Sequence, residues 1–274
     1  MSSIAAVMAL EEVAQWPAEN VAVEVISDGV GVQRAHERER AFPWASITKL
    51  LTAEALLVAL EEGIVDLDQP AGPEGSAIRH LAAHASGLSP DSDTPLARPG
   101  ERRIYSNAGY ELLARELATA AEMPFTEYLR AAVTGPLALS RHLTGSPASG
   151  YSGTIDDLAV LAAELLEPRL VAPETLREAT TVQFPGLVGV LPGFGRQEPN
   201  DWGLGFELRG HKQPHWTGSL NSPATFGHFG ASGTFLWVDP ERRVALCCLT
   251  DLEFGDWAKT AWPRLSDAVL RELP

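Results

Sequence analysis

Residues 46–63 read SITKLLTAEALLVALEEG, and this stretch decides how the rest of the chain is interpreted. Leucine and alanine recur on almost every side of a helix drawn through it, and Gly63 is the residue type that often follows a helix end. A helix that is apolar all round has no face for solvent. The sequence therefore predicts a central, buried helix that begins at Ser46.

Ser46 and Lys49 lie three positions apart at the start of this helix, which places a hydroxyl and an ammonium group on one face. Burial lowers the pKa of a lysine enough for it to activate a serine, which an arginine cannot do. Lysine occurs at only three positions, 49, 212 and 259, so a specific role is expected for each of them. The structural alternative makes Ser46 a helix cap and Lys49 a first-turn residue, although a cation there opposes the helix dipole.

A second candidate group is Tyr105-Ser106-Asn107, in a loop that leads into the helical pattern at residues 110–120. A tyrosine whose pKa is lowered by a nearby cation can relay a proton, and an amide can hold a substrate carbonyl or the lysine. The alternative is that Tyr105 only packs its ring.

A third group is the glycine-dense stretch at residues 227–234, GHFGASGT, just before an apolar strand. Glycines allow the backbone to approach a ligand closely, so an amide of this strand could form half of an oxyanion hole. We single out His228, Gly230 and Ala231 here.

Strand patterns lie near both ends of the chain, at residues 21–26, 203–209, 234–238 and 243–250, and helical patterns lie between them. An amphipathic segment opens the chain at residues 4–13, a turn is expected at Asp28-Gly29, and the Gly- and Pro-rich residues 185–199 are interpreted as a surface loop. We predict an α+β fold: an antiparallel sheet from both termini, flanked by helices, in an α/β lobe of about residues 1–45 and 203–274, with a mostly helical lobe inserted at about 46–202.

The three groups Ser46-x-x-Lys49, Tyr105-x-Asn107 and His228-x-Gly230 occur in an order that resembles the signature motifs of the class C β-lactamase, D-Ala-D-Ala-peptidase and family VIII esterase superfamily. This resemblance implies the serine β-lactamase and penicillin-binding-protein fold. It implies that Ser46 attacks an acyl carbonyl and that Lys49 and Tyr105 share the general-base and general-acid steps. Asn107 would orient substrate and lysine, and the backbone N–H groups of Ser46 and Ala231 would form the oxyanion hole.

The sequence departs from the β-lactamase pattern at the third motif, where Lys-Thr-Gly is usual and His228-Phe229-Gly230 stands here. A permanent cation and a hydroxyl are replaced by a mostly neutral imidazole and a phenyl ring. This change favours an ester over a β-lactam. We therefore expect a serine esterase or transacylase that acts on a small ester or amide, with a β-lactamase or D-amino-acid-specific peptidase, and a catalytically inactive binding protein, as alternatives. Trp202, Trp216 and Phe229 either line an apolar substrate pocket or belong to the core.

Composition excludes several other classes. A formal net charge of -15 disfavours nucleic acid and anionic membrane surfaces as partners. The two cysteines, Cys247 and Cys248, are adjacent in an apolar run and are expected to be small buried hydrophobic residues. His80 and His84 lack a third ligand at suggestive spacing, so we expect neither a metal nor a cofactor.

The first residues lack the basic start of a secretory signal, and no segment approaches the ~20 apolar residues of a membrane span. We therefore expect a cytoplasmic protein. Nothing in the sequence indicates its oligomeric state.

Overall fold

The structure is a computed structural model that describes residues 9, 11–28, 30–35 and 38–273. Its strands are β1 (Val21–Ser27), β2 (Val30–Ala35), β3 (Phe42–Pro43), β4 (Ser152–Gly153), β5 (Gly189–Leu191), β6 (Gly195–Gln197), β7 (Glu207–Leu208), β8 (Phe226–Gly230), β9 (Thr234–Asp239) and β10 (Val244–Thr250). Its α-helices are α1 (Thr48–Glu61), α2 (Ile78–Ala82), α3 (Asn107–Ala120), α4 (Phe125–Leu129), α5 (Ile155–Leu166), α6 (Pro173–Ala179) and α7 (Asp256–Glu272). Short 3-10 turns lie at Val13–Gln15 and Ala45–Ile47, and a π-helical turn lies at Arg130–Thr134.

A six-stranded antiparallel sheet, in the order β2-β1-β10-β9-β8-β7, joins the two ends of the chain. Strand β1 pairs with β10 along its whole length, from Val21 opposite Thr250 to Ser27 opposite Val244. This confirms the predicted α+β fold with a sheet built from both termini. The division into two lobes stays a prediction. The amphipathic segment at residues 4–13 and Gly29 of the expected turn fall largely or wholly outside the described residues.

Both faces of the sheet are buried. Along β10, Ala245, Cys247 and Leu249 pack toward the core that contains α1 and α5, because alternate residues of a strand face opposite sides. Val244, Leu246 and Cys248 pack toward the core that contains α7. The two cysteines are free and buried on opposite faces, as their apolar setting predicts.

Helix α1 is enclosed by the rest of the molecule, as its sequence predicts. Leu50, Leu51, Leu56 and Leu57 are fully buried, and Gly63 follows the helix with a φ of +70°. A buried helix at this place gives the residues at its first turn a dry environment. The described residues include no helix long and apolar enough to cross a membrane.

Several elements differ from the sequence expectation. Helix α1 begins at Thr48, after the 3-10 turn at Ala45–Ile47, and not at Ser46. Helix α3 begins at Asn107, before Tyr110, because the Ser106 hydroxyl accepts the N–H of Gly109 at 3.0 Å and caps the helix earlier. The strand expected at residues 203–209 is only β7, although Trp202 forms an isolated bridge to Glu207. The expected surface loop at residues 185–199 was wrong, because it contains the β5–β6 hairpin.

Candidate active site

The turn that carries Ser46 is held by contacts from the far end of the chain. The Thr234 hydroxyl donates to the Trp44 carbonyl at 3.1 Å, and the Ser232 hydroxyl donates to the Pro43 carbonyl at 2.7 Å. Ala45 has a φ of +46°, a conformation that costs a non-glycine residue energy and that often occurs at functional turns. Ser46 therefore follows a sharp bend whose geometry the surrounding structure imposes.

Gly230 explains how closely strand β8 approaches this turn. A Cβ atom at position 230 would lie 2.5 Å from the Trp44 carbonyl oxygen and 3.0 Å from the Ala45 Cβ. Real Cβ atoms do not tolerate the first distance, so only glycine fits. The third predicted motif thus contributes a close packing of β8 against the serine turn.

Lys49 is fully buried on the first turn of α1. Its Nζ lies 2.7 Å from Asn107 Oδ1, 2.9 Å from the Ala148 carbonyl oxygen and 3.5 Å from Ser46 Oγ. Burial lowers the pKa of Lys49 to about 7, although the nearby Asp91 and Glu111 carboxylates partly oppose this shift. At neutral pH a large fraction of this amine therefore carries a lone pair.

Tyr105 and Asn107 meet Lys49 from the loop before α3. The Tyr105 ring centroid is 4.7 Å from Lys49 Nζ, and Asn107 Nδ2 donates to Asp91 Oδ1 at 2.9 Å, which leaves the amide oxygen facing the lysine. Burial raises the pKa of the Tyr105 phenol, with a smaller opposing effect from a hydrogen bond with Ser46. The sequence argument called for a nearby cation that lowers the pKa of this tyrosine, whereas burial, together with the Asp91 carboxylate, raises it.

His228 completes the group from strand β8. Its Nδ1 donates to the Phe229 carbonyl at 2.7 Å, and its Nε2 lies 3.5 Å from the Tyr105 hydroxyl. Burial, together with the Lys49 charge, lowers the pKa of His228 to about 3. The ring is therefore neutral at ordinary pH, with Nε2 as an acceptor toward Tyr105.

Among the residues that sequence reasoning did not assign to the site, His84 lies directly behind the tyrosine. Its Nδ1 accepts the Ser106 N–H at 3.1 Å, and its ring centroid is 4.5 Å from that of Tyr105. His80 instead accepts the Ala77 N–H at 3.1 Å. Both histidines thus make structural contacts. Within the described residues there is no group of three or more His, Cys, Asp or Glu side chains arranged to hold a metal ion, and the absence of a metal stays a prediction.

A buried ionic group that was not predicted adjoins His228. Glu207 forms an ion pair with Lys212 and also accepts from His215 Nε2 and Trp216 Nε1, each at 2.9 Å. Lys212 further donates to the Asp201 and Leu208 carbonyls, each at 2.6 Å. The scarcity of lysine was the available signal, since position 212 is one of only three.

Five of the predicted residues line one cavity of about 270 Å³, namely Ser46, Tyr105, Asn107, His228 and Ala231, whereas Lys49 and Gly230 do not line it. Trp202 and Phe229 belong to its wall, whereas Trp216 lies in the core and is only 1% exposed. The β5–β6 hairpin also contributes to the wall, so residues 185–199 have a place at the site. The full lining is Ser46, Tyr105, Asn107, Leu191, Pro192, Gly193, Trp202, Glu207, His228, Phe229, Ala231 and Phe254.

Comparisons of the sequence and of the structure with known proteins point to the same family. The family model described as Beta-lactamase matches residues 13–270. A structure described as a β-lactamase from Mycobacterium bovis is 52% identical, covers 97% of this chain and 99% of that chain, and superposes with a TM-score of 0.95. EstCE1, described as a hydrolase with promiscuous acyltransferase activity, shares the fold at 17% identity, with a TM-score of 0.78 over 95% of this chain and 96% of that one.

Curated relatives match over shorter stretches. The D-alanyl-D-alanine-carboxypeptidase/endopeptidase AmpH of Escherichia coli K12 is 29% identical over an alignment of 132 residues, with coverage of 35% of this chain and 34% of that protein. A putative D-alanyl-D-alanine carboxypeptidase of Salmonella newport is 24% identical over 212 residues, with coverage of 57% and 47%. The matches span between about a third and a half of the length of these relatives.

Proposed function

This chain belongs to the Beta-lactamase family and has the fold of its serine hydrolases, and from that premise we propose that it forms an acyl-enzyme on Ser46 and hydrolyses or transfers the acyl group of carboxylic esters. The carrying observation is the environment of Lys49. A neutral amine has two N–H donors and one lone pair. Two of its three close neighbours, Asn107 Oδ1 and the Ala148 carbonyl, can only accept, which leaves the lone pair for the Ser46 hydroxyl.

In the proposed acylation step, Lys49 and Tyr105 each accept one proton and donate one proton. Lys49 takes the proton of Ser46 as Oγ forms a bond to the acyl carbon. Tyr105, as a phenol, then gives its proton to the leaving oxygen while the carbon–oxygen bond breaks, and Lys49 returns a proton to Tyr105. Water or another alcohol repeats the sequence on the acyl-enzyme and releases Ser46.

The backbone N–H groups of Ser46 and Ala231 are the proposed oxyanion hole, since both residues line the same cavity. Donors aimed at the developing charge stabilise the tetrahedral intermediate more than the ground state. Gly230, by bringing β8 against the serine turn, sets the distance between the two.

An ester is favoured over a β-lactam by the charges around the cavity. Among its described lining residues, only Glu207 carries a formal charge at neutral pH, and Lys212 neutralises that charge as a buried partner. His228 is uncharged, with its pKa at about 3. A substrate carboxylate would therefore leave water for a wall that offers it no cation, which is unfavourable.

A β-lactamase is the second candidate, favoured by the 52% identity with the Mycobacterium bovis protein described by that name. Replacing His228 with Lys tests the difference, because it places a cation where a carboxylate would lie. We expect His228→Lys to raise the ratio of nitrocefin to ester turnover at least about tenfold. His211→Lys, at an exposed position, is the matched control and should leave the ratio unchanged.

The nucleophile is tested by intact-mass spectrometry after exposure to a fluorophosphonate probe, alongside turnover of short-chain p-nitrophenyl esters. We expect one adduct in the wild-type protein and in Ser219→Ala, an exposed serine, and none in Ser46→Ala. Ester turnover should vanish together with the adduct. A protein that folds but is never labelled, and cleaves neither esters nor nitrocefin, would contradict the proposal and favour the inactive binding protein.

A further inference from the structure

A larger groove adjoins the proposed catalytic cavity. It has a volume of about 720 Å³, and Tyr105 and Pro192 line both spaces. The two spaces therefore meet at these two side chains, and a molecule whose reacting carbon lies at Ser46 would have to pass Tyr105 to reach the groove. The smaller cavity alone, at about 270 Å³, leaves little room for a substrate with two large halves.

The groove lies between the loop of residues 90–104 and the β5–β6 hairpin, and Arg103 fixes the two together. The Arg103 N–H donates to the Val188 carbonyl at 2.9 Å, and a Cβ at Gly189 would lie 2.6 Å from the Arg103 Cβ. The buried guanidinium group also donates to the carbonyls of Asn200, Ala83 and Gln183. The groove is thus already formed before a ligand arrives, which reduces the entropy lost on binding.

The walls of the groove are mainly apolar. Leu96 from the loop is 53% exposed and Val190 from the hairpin is 59% exposed, so each wall presents a large apolar side chain to solvent. Charged residues also line the groove: Arg196 pairs with Glu198 at 3.2 Å, Arg102 donates to the Leu96 carbonyl at 3.0 Å, and Glu101 accepts the Arg98 N–H at 3.2 Å. The remaining apolar lining is Pro90, Ile104, Val188 and Pro192. Exposed apolar surface that continues a reactive cavity is suited to an apolar ligand group.

Tyr105 indicates which half of the substrate would lie in the groove. In the reaction proposed above, its hydroxyl protonates the leaving oxygen, so atoms beyond Tyr105 belong to the leaving group. We propose that the groove binds the apolar alcohol half of the ester, an aliphatic or aromatic alcohol long enough to contact both Leu96 and Val190. This inference rests on the proposed function of Ser46 and Tyr105.

Alkyl acetates that differ only in the alcohol test the groove by itself. Ethyl, butyl and octyl acetate all give the same acetyl-enzyme, so differences in kcat/KM report the steps before the alcohol leaves. We expect kcat/KM, measured as alcohol released, to rise at least about tenfold from ethyl to octyl acetate, because each buried methylene group favours binding.

Leu96→Asp and Val190→Asp should each lower kcat/KM for octyl acetate far more than for ethyl acetate, and so remove most of this rise. Both positions are exposed, so the folded state should tolerate them. Leu220→Asp, at another exposed leucine that does not line the groove, is the matched control and should keep the rise. A second series, ethyl acetate to ethyl octanoate, varies the acyl half and should respond equally in all variants.

The outcomes separate this inference from the function on which it rests. Ester turnover that does not depend on alcohol length would overturn the groove assignment and leave the serine hydrolase intact. A loss confined to the acyl series would show that the groove takes the other half of the ester. No turnover of any ester, with no adduct on Ser46, would instead contradict the proposed function itself.

Discussion

The chemistry of the Lys49 amino group depends strongly on its surroundings, because burial lowers its pKa from 10.5 to about 7. Below this pKa the amine is protonated and cannot accept the Ser46 proton. The rate of Ser46 labelling by a fluorophosphonate should therefore rise with pH from 5 to 9 with a midpoint near 7. Lys49→Arg should lower the rate about 10²–10⁴-fold, because a guanidinium group stays charged.

Asp91 provides a sharper version of this test. Its carboxylate raises the pKa of Lys49, so removal of the charge should lower the pKa further. Asp91→Asn keeps an oxygen acceptor for Asn107 and should move the midpoint to lower pH. Asp256→Asn, an exposed carboxylate in α7, should not move it. A labelling rate that is flat between pH 6 and 8 would show that Lys49 is not the base.

At the residue scale, the sequence indicated which residues form the site better than it indicated their protonation states. The spacing of Ser46 and Lys49 follows from helical geometry, which is a local property. The pKa of Tyr105 depends on desolvation by residues distant in sequence, so the spacing of the motif carries no information on the direction of its shift. Glu207 and its partner Lys212 escaped notice because an ion pair in a short strand and loop has no periodicity to reveal it.

At the scale of elements, the close approach of β8 to the serine turn is a testable feature. Gly230→Ala would place a methyl group 2.5 Å from the Trp44 carbonyl oxygen, so the strand or the turn must move. We expect the free energy of unfolding to fall by about 1–3 kcal/mol. The labelling rate of Ser46 should fall at least about tenfold, since misplaced reacting groups lose rate steeply.

The matched control is Gly255→Ala, where a Cβ would meet its nearest neighbour at 3.6 Å and the backbone is extended. Urea unfolding and labelling kinetics on both variants separate close packing from a general effect of glycine replacement. An unchanged labelling rate in a folded Gly230→Ala protein would contradict the claim that Gly230 positions β8 against the serine turn.

Element prediction succeeded where burial or capping chemistry is local. The apolar run of α1 is such a local signal. The capping box at the start of α5, in which Thr154 Oγ1 accepts the Asp157 N–H and Asp157 Oδ2 accepts the Thr154 N–H, is another. The β5–β6 hairpin was missed because its strands are three residues each and lie among glycines and prolines. Arg103, whose N–H donates to the Val188 carbonyl next to the hairpin, is not connected to it by any local pattern.

At the scale of the whole molecule, Glu54 links stability to pH. Its carboxyl group is 1% exposed and has no hydrogen-bond partner among the described residues, and burial raises its pKa to about 8, helped by Glu164. The folded state therefore holds a proton that the unfolded state releases near 4.5. The contribution of Glu54 to stability falls as pH rises through this interval.

Glu54→Gln should match the wild-type protein at pH 5 and exceed its free energy of unfolding by at least about 1 kcal/mol at pH 8.5. Urea unfolding at the two pH values measures this difference. Glu241→Gln, at an exposed position, should show no such pH-dependent gain. An equal effect of Glu54→Gln at both pH values would mean that the carboxyl group is ionised throughout.

The overall architecture was predictable because strand patterns at both ends and helices between them leave few alternatives. The resemblance of the three motifs to known signatures also predicted the family. The cytoplasmic location and the substrate depend on features that hydrophobic patterning does not encode, and these stay a prediction and a proposal.

The contacts that hold the serine turn have a consequence for biosynthesis. The hydrogen bond from Thr234 to Trp44 joins residues 190 positions apart. When α1 leaves the ribosome, strand β8 has not yet been made, so the turn is unsupported and Lys49 is hydrated with its pKa near the ordinary 10.5. The nascent serine is then no more nucleophilic than any other. Reactivity is therefore expected only once the last strands have added to the first, and an incomplete chain should not become acylated at Ser46.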